Sequence, residues 1–306
     1  MGLKLVVAVT DYDWYRALSG MPGVPEVNFW APSATSFKAL RRGELFLFKL
    51  RAPRNAIVGG GIFTYGSDLP VSLTWAAFGP ANGASSLPEM RARIARLRAQ
   101  GPDDRSDFRI GCRMIAQPFF LAERDWLPAP ASFRPNTVAF KTYNTSEEDG
   151  RRLWEWANGH LSPSGEHAVA EQPARYGDAV LMKPRLGQGT FRALITDVYH
   201  RACAVTGERT LPALEAAHIR PYAEGGEHEA SNGLLLRRDL HSLFDLGYVT
   251  VTPSLHFEVS PRIREEFENG RHYYALQGTR IRAPDSEAFR PDAAALSWHN
   301  QNRFNG

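Results

Sequence analysis

One segment constrains this chain more than any other: CAVTGERTLPALEAAHIRPYAEGGEHEASNGLLLRRDLHSLFDLGYVTVTP, from Cys203 to Pro253. LPALEAAHI predicts a short strand ending at about His218. RPYAEGGEHEASNG is a turn-rich loop, with Gly225, Gly226 and the pair Asn232–Gly233. LLLRRDLHSLFDLG predicts a helix from about Leu236 to Leu246, ended by Gly247, and YVTVTP a further strand. On that helix His241 and Asp245 stand four residues apart, so they project from one face a turn apart. An imidazole and a carboxylate at that spacing can share one divalent cation. His218, at the strand end, can face them across the loop.

The spacings, 14 residues from His218 to Asn232 and 9 from Asn232 to His241, resemble the HNH (ββα-metal) nuclease family. AHIRPYAEGG and NGLLLRRDLHSLFD also look like that family's bacterial restriction-type branch, and RLGQGTFR (Arg185 to Arg192) extends the likeness upstream. The resemblance implies a metal-dependent DNA endonuclease. His218 would be the general base, since a neutral imidazole can take a proton from water near neutral pH. His241 and Asp245 would hold the metal, and Asn232 would pin the loop or orient His218. Many family members carry an Asp or His ligand immediately before the base. Here Ala217 stands there. Glu215 shares its strand face and is the nearest carboxylate. The ligand set is thereby thinned, and the metal's identity is open: Mg²⁺ or Mn²⁺ suits these donors best, and Zn²⁺ or Ni²⁺ is compatible. Asp245 is also readable as a helix-end cap. His228 reads as solvated, and His256, His272 and His299 as structural or exposed.

With 306 residues, about two domains are expected. Two distant cysteines, Cys112 and Cys203, argue against a disulfide framework or a four-cysteine zinc site, and Cys203 reads as a buried thiol. The net charge of +3 neither supports nor excludes nucleic acid. The apolar run Leu5 to Val9 is too short for a signal peptide's core, and no stretch approaches the ~20 apolar residues of a membrane span. A cytoplasmic protein without membrane contact is expected.

Ahead of the nuclease segment, KLVVAVT, GELFLFKL (Gly43 to Leu50), NAIVGGGIF (Asn55 to Phe63) and FRIGCRMIAQPFFL (residues 108–121) predict strands. GELFLFKL is apolar on both faces and so should be buried. The three glycines of NAIVGGGIF suggest a bulge or a close backbone approach. Ser86 to Gln100 predicts a helix, with Ser86 as cap, Glu89 three residues on, and Met90, Ile94 and Leu97 as its apolar stripe. Arg91, Arg93, Arg96 and Arg98 on its other face are either solvated or a phosphate-contacting stripe. From Asn144 to Ala174 the chain turns polar around a helix near Gly150 to Trp156. The expected organisation is α+β: a barrel-like domain over 1–145, a linker over 146–175, and the nuclease domain over 176–306.

The Trp-containing segment EVNFWAPS, the strand GELFLFKL and the strand IVGGG resemble the PUA-like superfamily, closest to its EVE domains. The resemblance implies a reader of modified DNA, and with the nuclease it implies a modification-dependent restriction enzyme acting against phage, cutting double-stranded DNA that carries 5-methyl- or 5-hydroxymethylcytosine. Such a reader extrudes the base into an aromatic-walled pocket. Trp14 and Trp30 are the candidate walls, with Trp75 a weaker one. Asp11 and Ser33 could hydrogen-bond the base edge. Core packing is the competing reading for these aromatics. Two other readings remain open: an HNH nuclease selecting a sequence, a DNA structure or a phosphorothioate, and a non-catalytic DNA reader. Concerted double-strand cleavage would need two active sites, hence a homodimer.

Overall fold

The computed structural model describes residues 2–35, 37–98, 106–161, 181–182 and 184–306. Its contacts divide the chain into two units, Met1–Thr190 and Phe191–Gly306. The class is α+β.

The first unit contains β1 (Lys4–Thr10), α1 (Tyr12–Ser19), β2 (Glu26–Ala31), β3 (Leu45–Leu50), β4 (Ala56–Pro70), α2 (Val71–Phe78), α3 (Leu87–Leu97), β5 (Arg109–Phe120), β6 (Leu127–Pro128), β7 (Phe140–Asn144) and α4 (Glu148–Asn158). The strands form one sheet in the order β2-β5-β4-β3-β1-β7, with β6 paired to β4. All neighbours are antiparallel except β1 and β3, which run parallel. Successive side chains of a strand point to opposite faces, and here both faces are covered. Val6, Ala8, Phe46 and Phe48 meet Trp14, Tyr15 and Leu18 of α1. Leu5, Val7, Leu45 and Leu47 meet Leu153 and Ala157 of α4. That two-sided burial is why GELFLFKL carries no polar alternation.

NAIVGGGIF is the start of a longer strand than its pattern predicts, since β4 runs on to Pro70. Its glycines are required by proximity. A Cβ at Gly59 would lie 2.1 Å from the Phe119 carbonyl oxygen, and one at Gly61 2.8 Å from that of Ala116. The β4–β5 register shifts between Gly60 and Ile62, as a bulge demands. Ser86 caps α3 as expected, its Oγ accepting from the Glu89 N–H at 3.3 Å. Met90 and Ile94 are buried, whereas Leu97 is 44% exposed. Arg93 pairs with Glu89, Arg91 with Asp107, and Arg98 donates to the Arg109 carbonyl. Those three arginines thus tie the helix to its own surroundings. Residues 99–100 of the predicted helix and 162–175 of the expected linker lie outside the described residues. The helix placed in that linker is α4, and it packs into the core of the first unit.

The second unit contains α5 (Gln188–Val198, begun in the first unit), β8 (Leu214–His218), β9 (Gly233–Arg237), α6 (Arg238–Asp245), β10 (Val249–Val251), β11 (Phe257–Val259), α7 (Arg262–Phe267), α8 (Arg271–Tyr274) and α9 (Ala293–Asn302). β8 and β9 form an antiparallel hairpin, from Leu214 opposite Arg237 to His218 opposite Gly233. This corrects the helix predicted from Leu236. Leu234, Leu235 and Leu236 are buried on both faces of β9, and the Leu235 carbonyl also accepts from Ala204 N–H at 2.7 Å. A short apolar run fits a buried strand as well as a helix, and the ladder decides it. Helical spacing begins with Leu240 and Phe244, the buried face of α6. Cys203 is a buried free thiol, as expected. Among the described residues no helix is long and apolar enough to cross a membrane.

His299 of α9 is 2% exposed, and its ring lies 3.7 Å from that of Phe244, nearly parallel. Its Nε2 donates to the Phe244 carbonyl at 3.0 Å, and Nδ1 stands 2.8 Å from Thr250 Oγ1. Burial pushes its pKa down to about 4. Between pH 6.5 and 4 the unfolded imidazole holds a proton that the folded one does not, so stability falls as pH falls through that window. Thermal unfolding across pH should show this loss, about 3 kcal/mol for the one residue at 1.36 kcal/mol per pKa unit, and a shallower slope in His299→Gln.

Candidate active site

His218 closes β8 opposite Gly233, where a Cβ would strike the Phe191 and Ile195 side chains. The missing side chain admits the Phe191 ring, which lies flat on the His218 imidazole with centroids 4.0 Å apart and planes 9° apart. His228, from the loop, sets its Nδ1 2.8 Å from His218 Nε2. Tyr222 stacks on the far side of His228, 4.8 Å away and at 10°. The two imidazoles are therefore clamped between two aromatic rings. His228 is thus no solvated loop residue, which corrects the sequence expectation.

Asn232 shapes that loop. Its Oδ1 accepts from Arg220 N–H at 2.9 Å, and its Nδ2 donates to the carbonyls of Arg220 and Glu227, each at 2.9 Å. The Asn232 carbonyl accepts from Ile219 N–H. Its side chain points into the loop's main chain and bonds no imidazole.

The second half of the site arises because α6 starts directly after β9. Its first two turns pass over Glu215 of β8, and Arg238 Nε reaches Glu215 Oε1 at 3.0 Å. His241 Nδ1 lies 3.0 Å from Glu215 Oε2, and His241 Nε2 lies 3.3 Å from Asp245 Oδ2. Ala217 is wholly buried, so the carboxylate on its strand face is Glu215.

Burial, with the neighbouring charges of His228 and His241, pushes His218 down to about 4, so it is neutral near pH 7. Burial also lowers His228. Burial acts to raise Glu215, but the hydrogen bond and charge of His241, with Arg238 and Arg192, outweigh it and leave the carboxyl below its ordinary range.

An imidazole and two carboxylates are donors that suit a divalent cation. Yet Glu215 and Asp245 address the two different nitrogens of His241, and no group of three such donors is gathered among the described residues. The pair His241–Asp245 fits a two-ligand hold, with water or phosphate oxygens needed to complete it.

The candidate base-pocket residues separate. A pocket in the first unit is lined by Asp11, Trp14 and Trp30, together with Phe46, Arg113 and Phe140. Trp14 is only 2% exposed, with edge-on contacts to Phe29 and Phe48 at 5.2 and 5.0 Å, so it is core floor and not a free wall. Trp30 is partly exposed, its Nε1 donating to the Asn82 carbonyl at 3.0 Å. Asp11 caps α1, its Oδ1 accepting from Trp14 N–H at 2.7 Å. Ser33 stands in an exposed turn bonded to Thr35, and Trp75 lies on α2; neither lines this pocket.

Residues 203–252 match the HNH_2 family model, described as HNH endonuclease. The second unit carries an HNH endonuclease domain, and the enzyme class is nuclease. HNH endonucleases generally use a divalent metal. No curated protein matches the chain. Among solved structures, ASCH from Zymomonas mobilis is 10% identical, covering 49% of this chain and 92% of that one with a TM-score of 0.32. A modification-dependent restriction endonuclease, TagI, is 12% identical, covering 97% of this chain and 81% of that one with a TM-score of 0.31.

Removing the Asn232 side chain orphans one N–H and two carbonyls in a half-buried loop. Asn232→Ala should therefore lower stability by about 2–3 kcal/mol in chemical denaturation, and Asn232→Asp, which cannot donate to the carbonyls, should not restore it.

Proposed function

We propose that this protein is a modification-dependent DNA endonuclease in which the first unit, an EVE-like member of the PUA superfamily, selects a modified cytosine and the HNH unit hydrolyses the phosphodiester. One observation carries the cutting half: a neutral, clamped imidazole pair, His218 and His228, in the same ββα unit as His241 and its two carboxylates. Unit 1 supports the selecting half with an open pocket that combines the partly exposed Trp30 and the carboxylate of Asp11.

His218 is the general base. The His228 contact occupies His218 Nε2; with Nε2–H donating to His228 Nδ1, His218 Nδ1 is left basic to take a proton from the attacking water. Phe191 stacks on His218 and Tyr222 on His228, the two imidazole planes standing 58° apart, so each orientation is set before substrate arrives. His228 positions the base, and Asn232 holds the loop that carries it. His241 and Asp245, with Glu215 in support, would hold the divalent cation, Mg²⁺ or Mn²⁺ for this donor set. When bound, that ion supplies positive charge to the phosphate and the leaving oxygen. Arg238, 61% exposed beside Glu215, is placed to meet a DNA phosphate. Two copies of the chain would supply the two sites that a double-strand break needs.

Purified protein with Mg²⁺ or Mn²⁺ should cut DNA carrying 5-methyl- or 5-hydroxymethylcytosine in preference to unmodified DNA, and equal cutting of both would overturn the selecting half. His218→Ala should slow cleavage by about 10²–10⁴-fold, the usual worth of a positioned base; wild-type rates in that variant would remove His218 from its role. Because the base works only when neutral, and with divalent metal kept saturating so that protons do not displace it from His241, cleavage should fall as pH drops through about 4 and not at the ordinary 6.5 of imidazole, measured as the acid limb of the single-turnover rate. His228→Ala should move that limb.

A further inference from the structure

Two arginines, Arg51 and Arg113, line the pocket that holds Asp11 and Trp30, and the buried one, Arg113, has no acceptor on its guanidinium among the described residues. Arg113 sits in the middle of β5, opposite Phe29 on β2 and Gly66 on β4. It is 8% exposed. Its backbone N–H donates to Asn28 Oδ1 at 3.2 Å. Among the described residues its guanidinium makes no hydrogen bond and no ion pair; its one contact of that kind is with the face of Phe37, 5.1 Å from the ring centre. Its surroundings on that face of the sheet are apolar, including Phe46, Phe63 and Ile115. Desolvation accordingly pushes its pKa below the ordinary guanidinium value, with no carboxylate to oppose it.

A guanidinium stays charged in proteins and offers five N–H donors. Trp14 Nε1 is the one wholly buried side-chain nitrogen or oxygen without a partner among the described residues, so the Arg113 nitrogens still touch the pocket's solvent; enclosing the charge without an acceptor nevertheless has a cost that one cation–π contact offsets only in part. Such groups persist where a ligand completes them. Arg113 opens onto the same pocket as Trp30 and Asp11. Asp11 spends one oxygen, Oδ1, on capping α1, which leaves Oδ2 for a ligand. The pocket therefore presents an acceptor, a set of strong donors and an aromatic side chain.

We infer that Arg113, the buried one of the pocket's two arginines, is a specificity-determining cation, donating to the acceptor edge of an extruded cytosine-type base whose amino group faces Asp11 and whose ring stacks beside Trp30. This rests on the first unit being the reader. Cytosine carries an amino donor next to ring and carbonyl acceptors, which is the complement of a carboxylate and a guanidinium. The methylene stem of Arg113 already lies among rings, so an apolar chain of similar length fits there without the charge. Arg113→Met should thus relieve the burden on the fold while removing the donors.

The test uses the full chain in EDTA, with wild type, Arg113→Met and Arg113→Lys compared. Duplexes with and without a single 5-methylcytosine are titrated by anisotropy at fixed salt. Melting temperatures are recorded with and without the free nucleoside 5-methyl-2′-deoxycytidine. The expected result is at least a tenfold fall in the modified-over-unmodified affinity ratio for Arg113→Met, a partial fall for Arg113→Lys, and a melting temperature for Arg113→Met equal to or above wild type. Unchanged discrimination in Arg113→Met overturns the inference, and so does a lowered melting temperature that Arg113→Lys restores, since that marks a structural cation. If wild type binds both duplexes equally, the reader assignment fails by itself, and the nucleoside decides Arg113. The inference stands if the nucleoside raises the melting temperature of wild type but not of Arg113→Met, and falls if it raises both or neither.

Discussion

Three hydrogen bonds from one carboxamide hold the catalytic half of this protein in shape. Asn232 ties Arg220 and Glu227 main-chain groups together across the loop between β8 and β9. Everything the HNH unit presents depends on that closure. It ends the hairpin at His218, returns the loop so that His228 meets His218, and lets β9 deliver α6 over Glu215. A side chain that both accepts and donates is needed at this point, which is why the position calls for an amide and not a carboxylate or an alkyl group.

The electrostatics on the two sides of the site are opposite in character. Around His218 the partners are aromatic, and desolvation keeps the imidazole uncharged. Around His241 the partners are the carboxylates of Glu215 and Asp245, with Arg238 beside Glu215. Two histidines of one chain thus stand in opposite surroundings set by their neighbours, not by any difference in residue type. The histidine of α9, sealed against Phe244, shows a third outcome, in which an imidazole is used purely for packing and hydrogen bonding.

The spacing of His218, Asn232 and His241, taken with the strand, loop and helix signals around it, pointed to the nuclease unit, because those residues are fixed by local elements whose geometry short-range sequence can express. The Ser86 cap and the two-faced strand GELFLFKL were legible for the same reason. His228 was not, since its role comes from Phe191 and Tyr222 closing on it, and nothing in GGEHEA states that. Leu234 to Leu236 misled because an apolar triplet has no period of its own. In the first unit, Trp14 and Trp30 look alike in sequence, and only the packing of α1 makes one the floor and leaves the other partly open. Arg113 gave no signal at all: an arginine in a strand reads as an outward side chain until the sheet is seen to be covered on both faces.

That double covering has a consequence for how the sheet keeps its alignment. In a sheet with one wet face, a slip by one residue is punished by throwing apolar groups into water. Here a slip of β3 would expose almost nothing, because Leu45 and Leu47 would merely trade places with Phe46 and Phe48. The two cores differ in outline: on β3 itself Phe46 and Phe48 enter one, with Trp14, Phe29 and Phe63, while Leu45 and Leu47 enter the other, with Leu5, Ile57, Ile62, Phe133 and Tyr143. Alignment is therefore enforced by shape, with misfit rings and unfilled gaps as the penalty, and by the run Gly59 to Gly61, the stretch of β4 whose lack of side chains lets the neighbouring backbone come that close.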